Sequence, residues 1–390
     1  MVYEAIKGSD KILGWIAAIL LFLLIRPYFV WAFVDMENWY AVLPLYAILF
    51  YKSARNSFDL PYIIAFLVLV IFSSFCEGQN IVGTLFAPFI VSIFTVNRSF
   101  VIFTYHKFWL IYTIIVGISM VVYALVLLGF SLPSVYIPPV NTLKDYFYQA
   151  YPFLLVANGD ISDYFLSVFD EHGVVGTISL FFLFIERFNF KKLGNVIILL
   201  SGLLSLSLFF YVLIFVLLLY STFAKGKIVK INKYVVIGIV ALGVYAVFNN
   251  EVANEKILHR LEINNDQNRR FVGDNRAHED LKMEVERMQG TTEYFFGTRN
   301  KNVREIAKSS SSYQNIIVRY GLIVLLAYIL FFFLYSKHYI KDKRKVLMYM
   351  VFLLVSLYNR PYIFNVAYLY LFTLGVYAYS KRLELLFSKP

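Results

Sequence analysis

Residues 194–223 read GNVIILLSGLLSLSLFFYVLIFVLLLYSTF, thirty positions without a charged side chain. A helix of about 20 apolar residues already crosses the hydrocarbon core of a bilayer, so this run is too long for one crossing. It is also too apolar for a soluble surface. Arg187, Lys191 and Lys192 precede it, and Lys225, Lys227, Lys230 and Lys233 follow it. Loops rich in Lys and Arg stay on the cytoplasmic side, so both ends of the run face the same side and it must cross twice or re-enter. Gly202, Ser205 and Ser207 offer a place to turn back, which predicts two short helices meeting near Ser205.

The rest of the chain repeats this composition. With 60% hydrophobic and 16% charged residues over 390 positions, it is not a water-soluble domain. Spanning barrels alternate polar and apolar residues, whereas stretches such as 62–72 and 114–130 do not alternate, so helices are expected rather than strands. The expected fold is all-α, a polytopic transmembrane bundle of about 12 spans. Spans are placed at 12–34, 37–51, 60–76, 81–96, 108–130 and 174–188, then at 194–205, 207–223, 232–248, 314–335, 346–358 and 362–379. The first run has no small-residue cleavage site and is read as a retained span. Cys76 is the one cysteine, which excludes an intramolecular disulfide and a cysteine-based metal site. The net charge of +11 is assigned to cytoplasmic loops and not to nucleic acid.

The charges divide the chain into five parts. Residues 1–130 are N-terminal membrane helices and 131–173 form a first external loop, rich in Tyr and Pro, with one lysine against five acids. Central helices occupy 174–248, a large external loop 249–313, and C-terminal helices 314–390, with both termini cytoplasmic. The first loop ends in Asp170, Glu171 and His172. Acids there are stabilised by the dipole of the following helix, yet a partly desolvated Glu or His at a membrane edge also suits a proton acceptor. The loop 249–313 carries eleven Lys/Arg and eleven Asp/Glu, a balance that predicts a folded cap holding an anion site near Arg269, Arg270 and Arg276. Ala277, Leu281, Val285 and Met288 recur at helical spacing between Asp274 and Gly290, which predicts a short amphipathic helix with Arg276 and His278 in its first turn. In the helix expected at 314–335, Asn315 and Arg319 share one face.

Further arginines occupy costly positions. Arg26 precedes Pro27 within the first span, and Arg360-Pro361 makes the outer turn between the last two. Arginines at such positions are functional candidates, although any single one also reads as solvated charge and Arg26 as snorkelling. There is no Walker A loop and no dinucleotide fingerprint. His278-Glu279-Asp280-Leu281-Lys282 begins like a zincin helix but lacks the second histidine. No Asp-x-Asp pair is present. The chemistry expected is metal-independent and needs no cofactor.

The order of parts carries a family resemblance. Its residues are Phe169-Asp170-Glu171-His172-Gly173-Val174-Val175-Gly176-Thr177, then Ser201 to Ser207 and Asn275-Arg276. Phe295-Phe296-Gly297, Ser311-Ser312-Tyr313-Gln314-Asn315, Tyr320-Gly321 and Arg360-Pro361 complete the series. With about twelve spans and an arginine-bearing loop before the last helices, the chain resembles the O-antigen polymerase and O-antigen ligase superfamily of bacterial membranes. The resemblance implies a glycosyltransferase at the outer face of the bacterial cytoplasmic membrane, with undecaprenyl-pyrophosphate-linked oligosaccharides as substrates. Arg269, Arg270 and Arg276 would grip the pyrophosphate, Arg319 and Arg360 would complete the rim, and Glu171 or else His278 would act as base. Membrane lipids, a chain-length regulator and a flippase of the same pathway are the implied partners. Polymerase and ligase differ in the acceptor, a lipid-linked glycan in one and a lipid A core or protein in the other. A lipid or sugar transporter and a non-catalytic scaffold are the rival classes.

Overall fold

The computed structural model describes residues 8–34, 38–52, 60–76, 92–139, 147–157, 164–223, 254, 259, 279–308 and 312–380. In chain order come α1 (Gly8–Leu24), α2 (Tyr28–Ala32), α3 (Asn38–Tyr51), α4 (Leu60–Cys76) and α5 (Arg98–Leu127), then strands β1 (Val135–Ile137), β2 (Tyr148–Tyr151) and β3 (Leu154–Ala157). There follow α6 (His172–Ile185), α7 (Leu193–Leu204) and α8 (Leu208–Phe223), and the short helices α9 (Glu279–Met288), α10 (Thr292–Phe296), α11 (Lys301–Lys308) and α12 (Tyr313–Tyr320). The last three are α13 (Leu322–Tyr339), α14 (Lys343–Asn359) and α15 (Val366–Tyr379). The protein is mostly helical, and two of the described helices, α5 and α13, are long and apolar enough to cross a membrane. The chain divides into two compact units, one drawn mainly from Met1–Leu45 and Arg98–Leu258, the other from Tyr46–Asn97 and His259–Ser388.

In the first unit α1 lies along α5. The helix breaks where Arg26 takes a positive φ of 57° and Pro27 withdraws an amide donor. Two bonds hold the break: the Tyr28 amide donates to the Val168 carbonyl at 2.7 Å and the Tyr28 hydroxyl to the Tyr151 carbonyl at 2.9 Å. The expected span 12–34 is thus two helices, with Arg26 exposed between them. The loop expected at 131–173 holds an antiparallel sheet of order β1-β2-β3, so the fold departs from all-α there. Pro152 and Phe153 form the two-residue connection of the β2–β3 hairpin. Phe153 has φ 61°, at a corner where Gly or Asn is usual after Pro.

Helix α6 is buried from Val175 to Ile185, and α5, α7 and α8 pack around it or its neighbours. Small residues set the approach: a Cβ on Gly176 would come within 2.7 Å of Ser207. Three of the hydroxyls inside this packing are partnered within it, which offsets the cost of burying them, whereas the buried Ser207 hydroxyl has no hydrogen-bond partner among the described residues. The Tyr112 hydroxyl pairs with Ser179 at 2.9 Å, and Ser179 with Ser201 at 3.1 Å. The turn from α6 to α7 is closed by Glu186, which accepts from Tyr105 at 3.0 Å and from the Lys192 ammonium at 2.7 Å. The run 194–223 forms two helices with a turn at Ser205, Leu206 and Ser207, as its length and flanks predict.

In the second unit α4 packs on α13 through an aromatic cluster. Phe66 contacts Phe94 at 4.9 Å and Phe331 at 4.8 Å between ring centroids. Helix α15 is buried along its whole length and bonds to α13 through the Tyr335 and Tyr377 hydroxyls at 2.9 Å. The helix expected from 314 to 335 is interrupted at Gly321 and becomes α12 and α13. The span expected at 108–130 starts earlier, at Arg98. The span expected at 232–248 and most of 81–96 lie outside the described residues.

Candidate functional site

Helices α9 to α12 fold around a core of their own. Leu281, Val285 and Met288 of α9 meet Val303 and Ala307 of α11 and Val318 of α12. Of the amphipathic helix expected before Gly290, the described part therefore buries the three apolar positions that its spacing selects. Gly290 ends the pattern with φ 79°. Asp274, Arg276, Ala277 and His278 lie outside the described residues, as do Arg269 and Arg270.

Two glycines close this cap. Gly297 (φ 81°) ends α10, and Gly321 (φ 89°) separates α12 from α13. Their backbones are pressed against each other's chain. A Cβ on Gly297 would lie 2.7 Å from the Arg319 carbonyl oxygen, and one on Gly321 would collide with the Phe295 carbonyl. The Thr298 amide donates to the Val318 carbonyl at 2.9 Å and completes the clasp. The sequence pieces Phe295-Phe296-Gly297 and Tyr320-Gly321 are thereby brought together.

Side chains then fill defined roles around the clasp. Ser312 caps α12, its hydroxyl accepting from the Gln314 amide at 3.2 Å, and the Asn315 amide donates to the Ala307 carbonyl. Arg304 donates from Nε to the Thr298 carbonyl at 2.6 Å and from Nη2 to the Cys76 carbonyl at 3.1 Å. It joins the cap to the end of α4. Arg287 is held between Glu284 and Glu293, at 2.5 and 2.9 Å. The hydrogen bonds it donates to Glu284 and then to Glu293 push its pKa further up. Glu293 also accepts from the Thr298 hydroxyl at 3.1 Å. Arg304, Thr298 and Glu293 escape a reading of the sequence, because nothing but tertiary contact distinguishes them from the other polar residues of the loop. Their one local signal is the Gly297-Thr298 step after two phenylalanines.

Arg319 stands in the last turn of α12 with its guanidinium over the Tyr320 ring, 5.0 Å from the centroid. Three residues later the 18-residue apolar helix α13 begins. A half-buried cation thus marks the border between a polar cap and an apolar helix. Arg360 caps the C-terminus of α14, its amide donating to the Ser356 carbonyl at 2.8 Å, and is buried at 6% exposure. The Tyr313 hydroxyl donates to the Leu354 carbonyl at 2.6 Å, which ties the start of α12 to the end of α14.

Glu171 belongs to the first unit. It is the N-cap residue of α6, half-buried, in extended conformation, and its side chain makes no capping bond. The turn that carries it is fixed on both sides. The Tyr148 hydroxyl donates to the Asp170 carbonyl at 2.7 Å, and His172 stacks on Tyr164 with centroids 4.3 Å apart. Phe169 is fully buried against Tyr112 and Phe22. The carboxylate thus sits on a rigid support at the positive end of a helix, which favours its charged form. No family model, no curated protein and no solved structure matches the chain.

Proposed function

We propose that the protein polymerises undecaprenyl-pyrophosphate-linked oligosaccharide repeat units of a surface polysaccharide at the outer face of the bacterial cytoplasmic membrane. The observation that supports it most is the clasp at Gly297 and Gly321, which joins two pieces of the family resemblance and sets Arg319 where the polar cap meets an apolar helix. A lipid-linked pyrophosphate has the same division, an apolar chain joined to a charged head. In the reaction an acceptor hydroxyl attacks the anomeric carbon of the donor glycan. The new C–O bond forms as the bond to the pyrophosphate oxygen breaks, and the hydroxyl proton passes to a base. Glu171 is the first choice for that base and His278 the second. Arg319, together with Arg269, Arg270 and Arg276, is assigned to the charge that develops on the leaving pyrophosphate. Arg360, buried at the end of α14, is assigned with Arg319 to the rim of that site.

A transporter reading draws on the two helix breaks, since transporters use interrupted helices to bind substrate near the bilayer midplane. The breaks at Arg26 and Gly321, however, adjoin helices of 17 and 18 residues. Helices of that length cover most of a bilayer core of about 30 Å, which on the membrane reading puts the breaks at its edge. The enzyme reading is therefore preferred. Deleting the chain from its host and resolving the surface glycan on a gel tests it. Single-repeat product is the expected result, unattached long chains indicate the ligase activity instead, and unchanged glycan sinks both.

A further inference from the structure

A groove of about 840 Å³ opens between α13 and α14, within the size range of about 300–1,000 Å³ of small-molecule sites. Leu330 and Phe333 line it from α13, and Leu347 and Met350 from α14. One end is different. Lys337, Lys341 and Lys343 line the groove beside the short connection between the helices, and all three are exposed. The acid among them, Asp342, accepts from the Arg344 amide at 2.9 Å and caps α14. None of the three lysines forms an ion pair with another described residue. Over residues 337–345 there are five Lys/Arg and one Asp, a net +4.

This distribution selects an occupant. A free anion would use the lysines and leave the apolar walls uncovered, while a neutral lipid would use the walls and leave three ammonium groups without a counter-charge. A helix from a second copy would carry apolar surface into the lysine end. A phospholipid with an anionic headgroup matches both parts. Lysine suits the headgroup, because a compact ammonium on a flexible stem follows a mobile phosphate where a planar fork would not be needed. We propose that the groove is a binding site for one anionic phospholipid, its acyl chain along Leu330, Phe333, Leu347 and Met350 and its phosphate at Lys337, Lys341 and Lys343. The proposal rests on the membrane reading of α13, and in that reading this end faces the cytoplasmic leaflet, where anionic lipids concentrate. The groove is separate from the pyrophosphate site. Arg319 precedes the first turn of α13 and Lys337 lies in its last, so the 18-residue helix sets them about 27 Å apart.

Native mass spectrometry of the purified full chain in neutral detergent tests the site, with phosphatidylglycerol and phosphatidylcholine as probes. One saturable phosphatidylglycerol adduct is expected, with phosphatidylcholine bound far more weakly. The triple variant K337Q/K341Q/K343Q should bind phosphatidylglycerol about a hundredfold more weakly, the loss expected from three basic groups near an anionic surface. The triple arginine variant, which keeps the charge, should retain it. Leu347→Trp, which fills the groove, should displace the lipid with the lysines intact, and glycerol 3-phosphate should not compete. Equal retention of both lipids by the wild-type chain, undiminished binding by the glutamine variant, or displacement by glycerol 3-phosphate overturns the proposal. Its outcome is independent of any glycan assay, so the lipid site and the polymerase reading fail separately.

Discussion

Arginine and lysine carry the same charge but not the same geometry, and that difference isolates what Arg319 does. If its planar fork grips a pyrophosphate, Arg319→Lys loses one charge-assisted hydrogen bond, worth about 1.5–3 kcal/mol. Polymer formation should then fall roughly tenfold to a hundredfold, with membrane levels unchanged on an immunoblot. A solvated arginine contributes about 0–1 kcal/mol, and its lysine variant would make polymer at the wild-type rate. The same comparison applies to Arg269, Arg270 and Arg276, of which at least one lysine variant should accumulate unpolymerised repeat units. Glu171 is tested by the isosteric Glu171→Gln. Loss of a general base lowers rates by about a hundredfold to ten-thousandfold, whereas a wild-type rate in the Gln variant removes Glu171 from the chemistry and leaves His278 as the base to examine.

Among the elements, the clasp is the one most sensitive to a single methyl group. Gly290, Gly297 and Gly321 all have positive φ, but a Cβ at Gly290 would enter open space while one at Gly321 would enter the Phe295 backbone. Gly290→Ala should therefore lose only the conformational term of about 1–2 kcal/mol. Gly321→Ala should lose that and the close approach as well. Thermal unfolding of the detergent-solubilised chain should rank wild type above Gly290→Ala and Gly290→Ala above Gly321→Ala, and equal midpoints for the two variants contradict the contact. The break at Gly321 is not legible in the sequence, because a glycine inside an apolar helical pattern is equally a packing residue, and its partner Phe295 is 26 positions away. The sheet is hidden for a related reason. Its strands are three or four residues long, too short to show a period, and Pro152-Phe153 lacks the Gly or Asn that marks such turns. The pair α7 and α8 was legible, since an uncharged run of that length between two lysine-rich segments leaves few alternatives. So was the core of α9, where Leu281, Val285 and Met288 keep helical spacing in a polar loop. The arginine site stays a matter of loop composition, as Arg269, Arg270 and Arg276 fall outside the described residues.

At the scale of the molecule the question is which side each segment faces. A reporter fused after Lys230 should read cytoplasmic and one near Gly290 external. Helices α7 and α8 have 12 and 16 residues, about 18 and 24 Å long, each shorter than a bilayer core of about 30 Å. They suit a hairpin that returns to its own side. Reporters after Lys192 and Lys230 that read opposite sides would instead make residues 194–223 a single crossing. The second unit also has a history in time. Its α4 is joined to parts of the chain made much later: Tyr62 donates to the carbonyl of Leu334, 272 residues on, and the Cys76 carbonyl receives Arg304, 228 residues on. At a synthesis rate of about 5–20 residues per second, α4 exists for roughly ten to fifty seconds before those partners are translated. The two serine hydroxyls of its last turn need none of them. Ser73 and Ser74 both donate to the Val70 carbonyl of their own helix, at 2.7 and 3.0 Å, so on the proposed membrane reading α4 can rest in lipid with these groups satisfied and its Phe66 face uncovered until α13 arrives.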